Sequence, residues 1–140
     1  MIGQHYIRGW STTQAVISLS SGEAELAGIV RGTCEAIGAR SIGKDLDMNI
    51  EGVVFTDSSA ALSMTGRVGA GKIRHLDTSM LWVQHKQARG DVEYQHVLGS
   101  NNVADLWTNN VDHIVRNKHL MQIGFRYEEG TAGKAVELNL

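Results

Sequence analysis

The chain has no proline in 140 residues, where average usage of about 5% would give about 7. Its turns must therefore rely on other residues, and 16 glycines are available for that role. There is one cysteine, Cys34, so no internal disulfide can form and a disulfide-stapled scaffold is excluded. No apolar run reaches the ~18 residues of a membrane-spanning helix. The opening residues MIGQHYIRGW lack the apolar stretch of a signal peptide. Acidic residues are missing from the first 22 positions: the first acid in the chain is Glu23. What remains, 42% hydrophobic and 20% charged residues, describes an intracellular soluble domain able to bury a modest core.

The net charge of −2 is unevenly distributed. Residues 66–90 hold Arg67, Lys72, Arg74, Lys86 and Arg89 against one acid, Asp77, a local charge of +4 that leaves −6 for the rest. A basic segment in an acidic chain points either to a polyanion-binding surface or to a solvated helix face.

No internal repeat or low-complexity linker is present. Residues 5–19 are rich in β-formers (Tyr6, Ile7, Trp10, Thr12, Thr13, Val16, Ile17) and read as one long strand, or two broken near Gly9. Ser20 and Glu23 have capping-box spacing, so a helix should begin there. Its apolar stripe is read as Ala24, Ala27, Val30, Cys34 and Ile37, with an end between Gly38 and Asp47. Residues 52–56 (GVVFT) have the continuous apolar character of a buried central strand. A helix start follows at Ser58, a glycine-rich loop at 66–72, and a long helix from about Leu76 to Arg89. Residues 91–98 alternate as a strand, 99–102 form a turn, and a helix carries Val103 to Trp107. Residues 112 to about 125 read as helical, and a loose tail is expected from Glu128. Strands alternating with helices define an α/β class with at least one parallel pairing.

Three acids stand out by position. Glu25 lies in the first turns of the long helix, Asp57 ends the apolar strand, and Asp105 begins a helix after the last strand. Together they would form an oxygen-only site for Mg²⁺ or Mn²⁺. Separately they would favour helix N-termini or cap them. The histidines form no comparable pattern: His113 and His119 are six residues apart, wrong for one helical face, and Cys34 offers zinc no second cysteine. His96 reads as a strand residue, and Trp10, Trp82 and Trp107 as core or half-buried side chains.

The run 17–26 (ISLSSGEAEL) resembles the SLSSxEAE motif of ribonuclease H domains in copia-type LTR retrotransposon polyproteins. The blocks 56–61 (TDSSAA), 72–77 (KIRHLD) and 102–108 (NVADLWT) follow in that family's order and at similar spacing. The resemblance covers about residues 5–110, with 111–140 left as a C-terminal helix and tail. It implies a ribonuclease H-like mixed sheet flanked by helices. It also implies metal-binding catalytic carboxylates at Glu25, Asp57 and Asp105, and two Mg²⁺ or Mn²⁺ ions acting on the RNA strand of an RNA–DNA hybrid. Lys72, Arg74 and His75 would face nucleic acid, joined by Ser58, Lys86 and Arg89.

One departure matters. The family has a fourth carboxylate, an Asp on its first strand, and residues 1–22 contain no acid. The resemblance therefore implies that the first two strands of the family fold are absent, and that metal binding and hybrid cleavage are weak or lost. The open strand would be completed by residues 5–19 moving in, by swapping in a homodimer, or by a longer reverse transcriptase polyprotein.

Overall fold

The computed structural model describes residues 1–3, 5–14, 17–18, 20–68 and 78–125. It is a mixed α/β structure. Among the described residues there are five α-helices and a two-stranded parallel sheet. The elements are α1 (Ser21–Asp45), β1 (Val53–Thr56), α2 (Ser59–Thr65), α3 (Thr78–Ala88), β2 (Glu93–His96), a 3₁₀ turn (Gly99–Asn101), α4 (Asp105–Thr108) and α5 (His113–Gln122). No helix among these residues is long and apolar enough to cross a membrane.

α1 starts where the sequence signals it. The Ser20 hydroxyl accepts from the Glu23 amide at 3.3 Å, which satisfies one of the free donors of the first turn. Its buried face differs from the expected one. Leu26, Ile29 and Thr33 are buried, whereas Ala27 and Cys34 are exposed. The stripe is turned by about one position, roughly 100° around the helix. Val30 and Ile37 lie at its flank, half-buried. The displaced face brings Gly32 against β1, where an added β-carbon would stand 3.2 Å from Val54 Cγ1. Glycine here permits the close approach of helix and strand.

β1 and β2 pair in register, Val53 with Glu93 through Thr56 with His96. α3 ends before Gly90, whose φ of +68° turns the chain into β2. α1, α2 and α3 pack together, with α1 and α2 also against the strands. The core they enclose is Ile29, Ala61, Val83, Val92 and Tyr94.

The strand 52–56 is not the doubly buried element its composition suggests. Val54 is half-buried and Thr56 buried, but Phe55 is 59% exposed and Val53 borders on exposed at 36%. Among the described residues, helices cover one face only; on the other, Val53 and Phe55 stand beside the exposed Glu93 and Gln95. The second edge of β1 has no strand partner among the described residues.

The strand expected at 5–19 does not form among its described residues. The N-terminal segment shows a single antiparallel bridge, Ile2 with His5. Strand propensity is realised only when a partner supplies the ladder, and the described part of this segment pairs with neither sheet edge. Instead, side chains attach it. Tyr6 stacks on Trp107 with ring centroids 5.7 Å apart and meets Phe125 edge-on at 5.9 Å. Trp10 lies under the Arg8 and Arg31 guanidinium groups. All three tryptophans are half-buried. The tail expected from Glu128 lies outside the described residues.

Candidate acidic site at the carboxyl end of the sheet

Asp57 is the residue after β1, held in a tight turn into α2. The Ser58 amide donates to Thr56 Oγ1 at 3.2 Å, and Ser58 Oγ accepts from the Ala61 amide at 3.2 Å, capping α2. Ser58 thus has a structural task beside Asp57. The loop after β2 passes over the carboxylate: a β-carbon on Gly99 would lie 3.8 Å from Asp57 Oδ2. His96 closes the other side, its Nε2 3.2 Å from the Asp57 carbonyl oxygen.

Asp105 is the first residue of α4, and Glu25 lies in the second turn of α1. Both line one pocket with Asp57, Asn102, Phe55 and Thr108, and its volume is about 380 Å³. Neither Lys nor Arg is among its lining residues. Three sequence-distant acids therefore face one pocket without a compensating cation. Glu25 registers this: its carboxyl is raised above the ordinary glutamate value, first by partial loss of solvent against the pocket wall, then by the charges of Asp57 and Asp105.

Asn102 joins the two aspartates. Its Nδ2 donates to Asp57 Oδ2 at 3.3 Å and to Asp105 Oδ1 at 3.5 Å, while its Oδ1 accepts from the Ala104 amide at 3.2 Å. The sequence places Asn102 in a turn and at the start of the NVADLWT block, with no role at the acidic site. Its position three residues before Asp105, on the same turn, was the available signal. The contact of His96 with the Asp57 backbone had no sequence signal, because it depends on strand register.

The donor set is oxygen-rich, the chemistry a hard divalent cation requires. Among the described residues, no group of three or more His, Cys, Asp or Glu side chains could hold a metal ion. The three carboxylates line one shared pocket.

The basic residues divide. Lys72, Arg74 and His75 lie outside the described residues. Lys86, in the last turn of α3, and Arg89, just after the helix, pair with Asp91, at 3.0 and 3.6 Å. Arg40 donates to the Asp91 carbonyl oxygen. Lys86 and Arg89 line a larger pocket, about 610 Å³, together with Arg40 and Lys44. Asp91 precedes β2 and Asp57 follows β1. In a parallel pair these are opposite ends, separated by roughly 13 Å of four-residue strand.

Compared with protein-family models, curated proteins and solved structures, the chain matches none.

Proposed function

We propose that the chain is a ribonuclease H-like domain of the retrotransposon type that engages nucleic acid but hydrolyses RNA–DNA hybrid weakly or not at all by itself. The observation that carries this reading is the shared pocket of Glu25, Asp57 and Asp105. The acids come from three separate blocks that resemble the copia-type motifs, and they border one uncompensated acidic hollow at the carboxyl end of a parallel strand. Functional groups of α/β sheets gather at that end. The weak-activity part follows from the sequence: residues 1–22 contain no acid that could supply the family's fourth carboxylate.

The test is direct. The protein is incubated with labelled hybrid in Mg²⁺ or Mn²⁺, and binding is followed across a salt series. Binding that weakens with salt, with little product, is the expected result. Efficient cleavage lost on Glu25→Gln or Asp57→Asn would replace this reading with that of a competent hydrolase. Failure to bind hybrid at low salt would remove it.

A second reading is favoured by one observation. Among the described residues, β1 presents an unpaired edge and the exposed Val53 and Phe55. Such an edge suits pairing with a second copy or with a strand of a longer polyprotein, which makes the domain an oligomerising remnant. A solution mass twice that of the chain would support it.

A further inference from the structure

The larger pocket, about 610 Å³, lies at the Asp91 end of the sheet, away from Asp57. Local chemistry builds one of its walls. α1 ends at Asp45, and Asp47 takes a φ of +56°, the left-handed turn of a helix cap. The Asp47 amide donates to the Lys44 carbonyl at 3.1 Å and the Met48 amide to the Gly43 carbonyl at 2.8 Å, which folds residues 46–50 back onto the helix. A β-carbon on Gly43 would stand 2.6 Å from Ile50 Cδ1 and 3.2 Å from the Met48 carbonyl oxygen, so glycine lets the loop lie this close. The last turn of α3 and the residues leading into β2 add Lys86, Arg89 and Asp91 to the lining.

Four cations line this space, Arg40, Lys44, Lys86 and Arg89, against two acids, Asp47 and Asp91. That is a surplus of two positive charges in a chain of net charge −2. Lys86 and Arg89 share the Asp91 carboxylate. Arg40 reaches the same residue only through its neutral carbonyl oxygen. Neither Arg40 nor Lys44 forms an ion pair among the described residues. Helix dipoles account for Lys44 and Lys86, which sit in last turns where cations are favoured. They do not account for Arg40, which is half-buried, precedes the last turn of α1 and lines a concave space. A charge partly withdrawn from water without an acid of its own is costly unless an anion joins it.

We propose that this pocket is a second, separate binding site, which takes the dianionic phosphate group of a small phosphorylated molecule. Arg40 and Lys44 supply the two uncompensated charges, and a phosphate monoester carries about −1.5 to −2 at neutral pH. The Arg40 guanidinium is a planar fork suited to phosphate oxygens. Ile37, Met48 and Ile50 give the organic portion an apolar wall, and the volume is in the range that small ligands occupy. Backbone phosphates of nucleic acid carry one charge each and match the surplus less well. The inference does not rest on the nuclease reading.

The test titrates the whole chain with phenyl phosphate, inorganic phosphate and phenyl sulfate at neutral pH, followed by amide chemical shifts and calorimetry. Phenyl sulfate keeps the ring but carries a single negative charge. Phenyl phosphate should bind saturably, shift amides within residues 40–50 and 86–91, and bind roughly tenfold tighter than either comparison probe. Lys44→Gln, at an exposed position, should weaken it roughly fivefold, as for an exposed ion pair, with melting unchanged. Arg40→Gln should weaken it further; where that variant does not fold, Lys44→Gln carries the comparison. Titration without saturation, shifts confined to other surfaces, equal affinity for a comparison probe, or affinity unchanged in the folded variants would overturn the proposal. So would an RNA–DNA hybrid that displaces phenyl phosphate and binds Lys44→Gln less well, since the pocket would then be a nucleic-acid contact. A hybrid that does not bind at all removes the functional reading and leaves the phenyl phosphate titration standing, so the two fail separately.

Discussion

Thr33 sits on the buried face of α1, where a hydroxyl needs partners. It donates to the Ile29 carbonyl at 2.7 Å, which leaves its oxygen free to accept from Tyr94 OH at 3.0 Å. The two ends of this bond are not equivalent. Tyr94→Phe leaves Thr33 satisfied and should cost about 0.5–1.5 kcal/mol; Thr33→Val leaves the tyrosine hydroxyl buried and unpaired and should cost about 1–3 kcal/mol. Denaturant melts that rank the two in the opposite order would refute this account. Burial also holds the Tyr94 hydroxyl above its ordinary pKa.

Glu25 makes a pH-dependent contribution at the same scale. Its carboxyl binds protons more tightly in the folded state than in the unfolded chain, so stability falls as pH rises from the model-peptide value of 4.5 through its raised value. Below that window both states are protonated and the dependence vanishes. Glu25→Gln should therefore be slightly stabilising near neutral pH, by less than about 1 kcal/mol because the residue is largely solvated. The gain should disappear as the pH is lowered toward the ordinary carboxylate range. A variant whose advantage grows in acid would contradict the assignment.

At the scale of elements, α1 carries both the core face and one acid of the pocket. Its first turn depends on Ser20, and Ser20→Ala should cost about 1 kcal/mol of stability. Because Glu25 is only one turn further on, backbone exchange should rise over residues 21–25 in this variant while α3 is unchanged; uniform exchange would argue against a local cap. α3 contributes Val83, fully buried in the core. Val83→Ala removes two buried methyl groups and should cost about 2 kcal/mol, measured by chemical denaturation. The helix starts were legible because capping is local chemistry: Ser20 and Ser58 each accept from an amide three residues on. The face of α1 was not, because alanine, glycine and cysteine define an apolar stripe poorly. Thr33, polar by type, is buried through a bond to a residue 61 positions away.

At the scale of the whole molecule, and among the described residues, helices cover one face of two strands, and neither the other face nor the outer edge of β1 has a partner. Parallel strands are ordinarily covered on both faces, and an open edge templates pairing. Concentration-dependent self-association is therefore expected in sedimentation experiments. Phe55→Gln should suppress it while changing stability by no more than about 0.5 kcal/mol, as for an exposed site. Association unaffected by this change would direct attention to another surface. At the same scale, Lys86 and Arg89 are at the far end of the sheet from the acidic pocket and tied to Asp91. A polyanion touching both would have to span the strand length, a separation the linear order of the motifs does not reveal.

The sequence by itself determined the local features: where α1 and α2 begin, the α/β class, and the identities of three acids at ends of elements. These follow from side chains acting on backbone a few residues away and from hydrophobic period. Only the tertiary structure decided that Glu25, Asp57 and Asp105 border one pocket, that Asn102 lies between two of them, and that residues 5–14 pair with no sheet edge. Those outcomes depend on strand register and on contacts between residues far apart in the chain. Propensity and spacing carry no information about either.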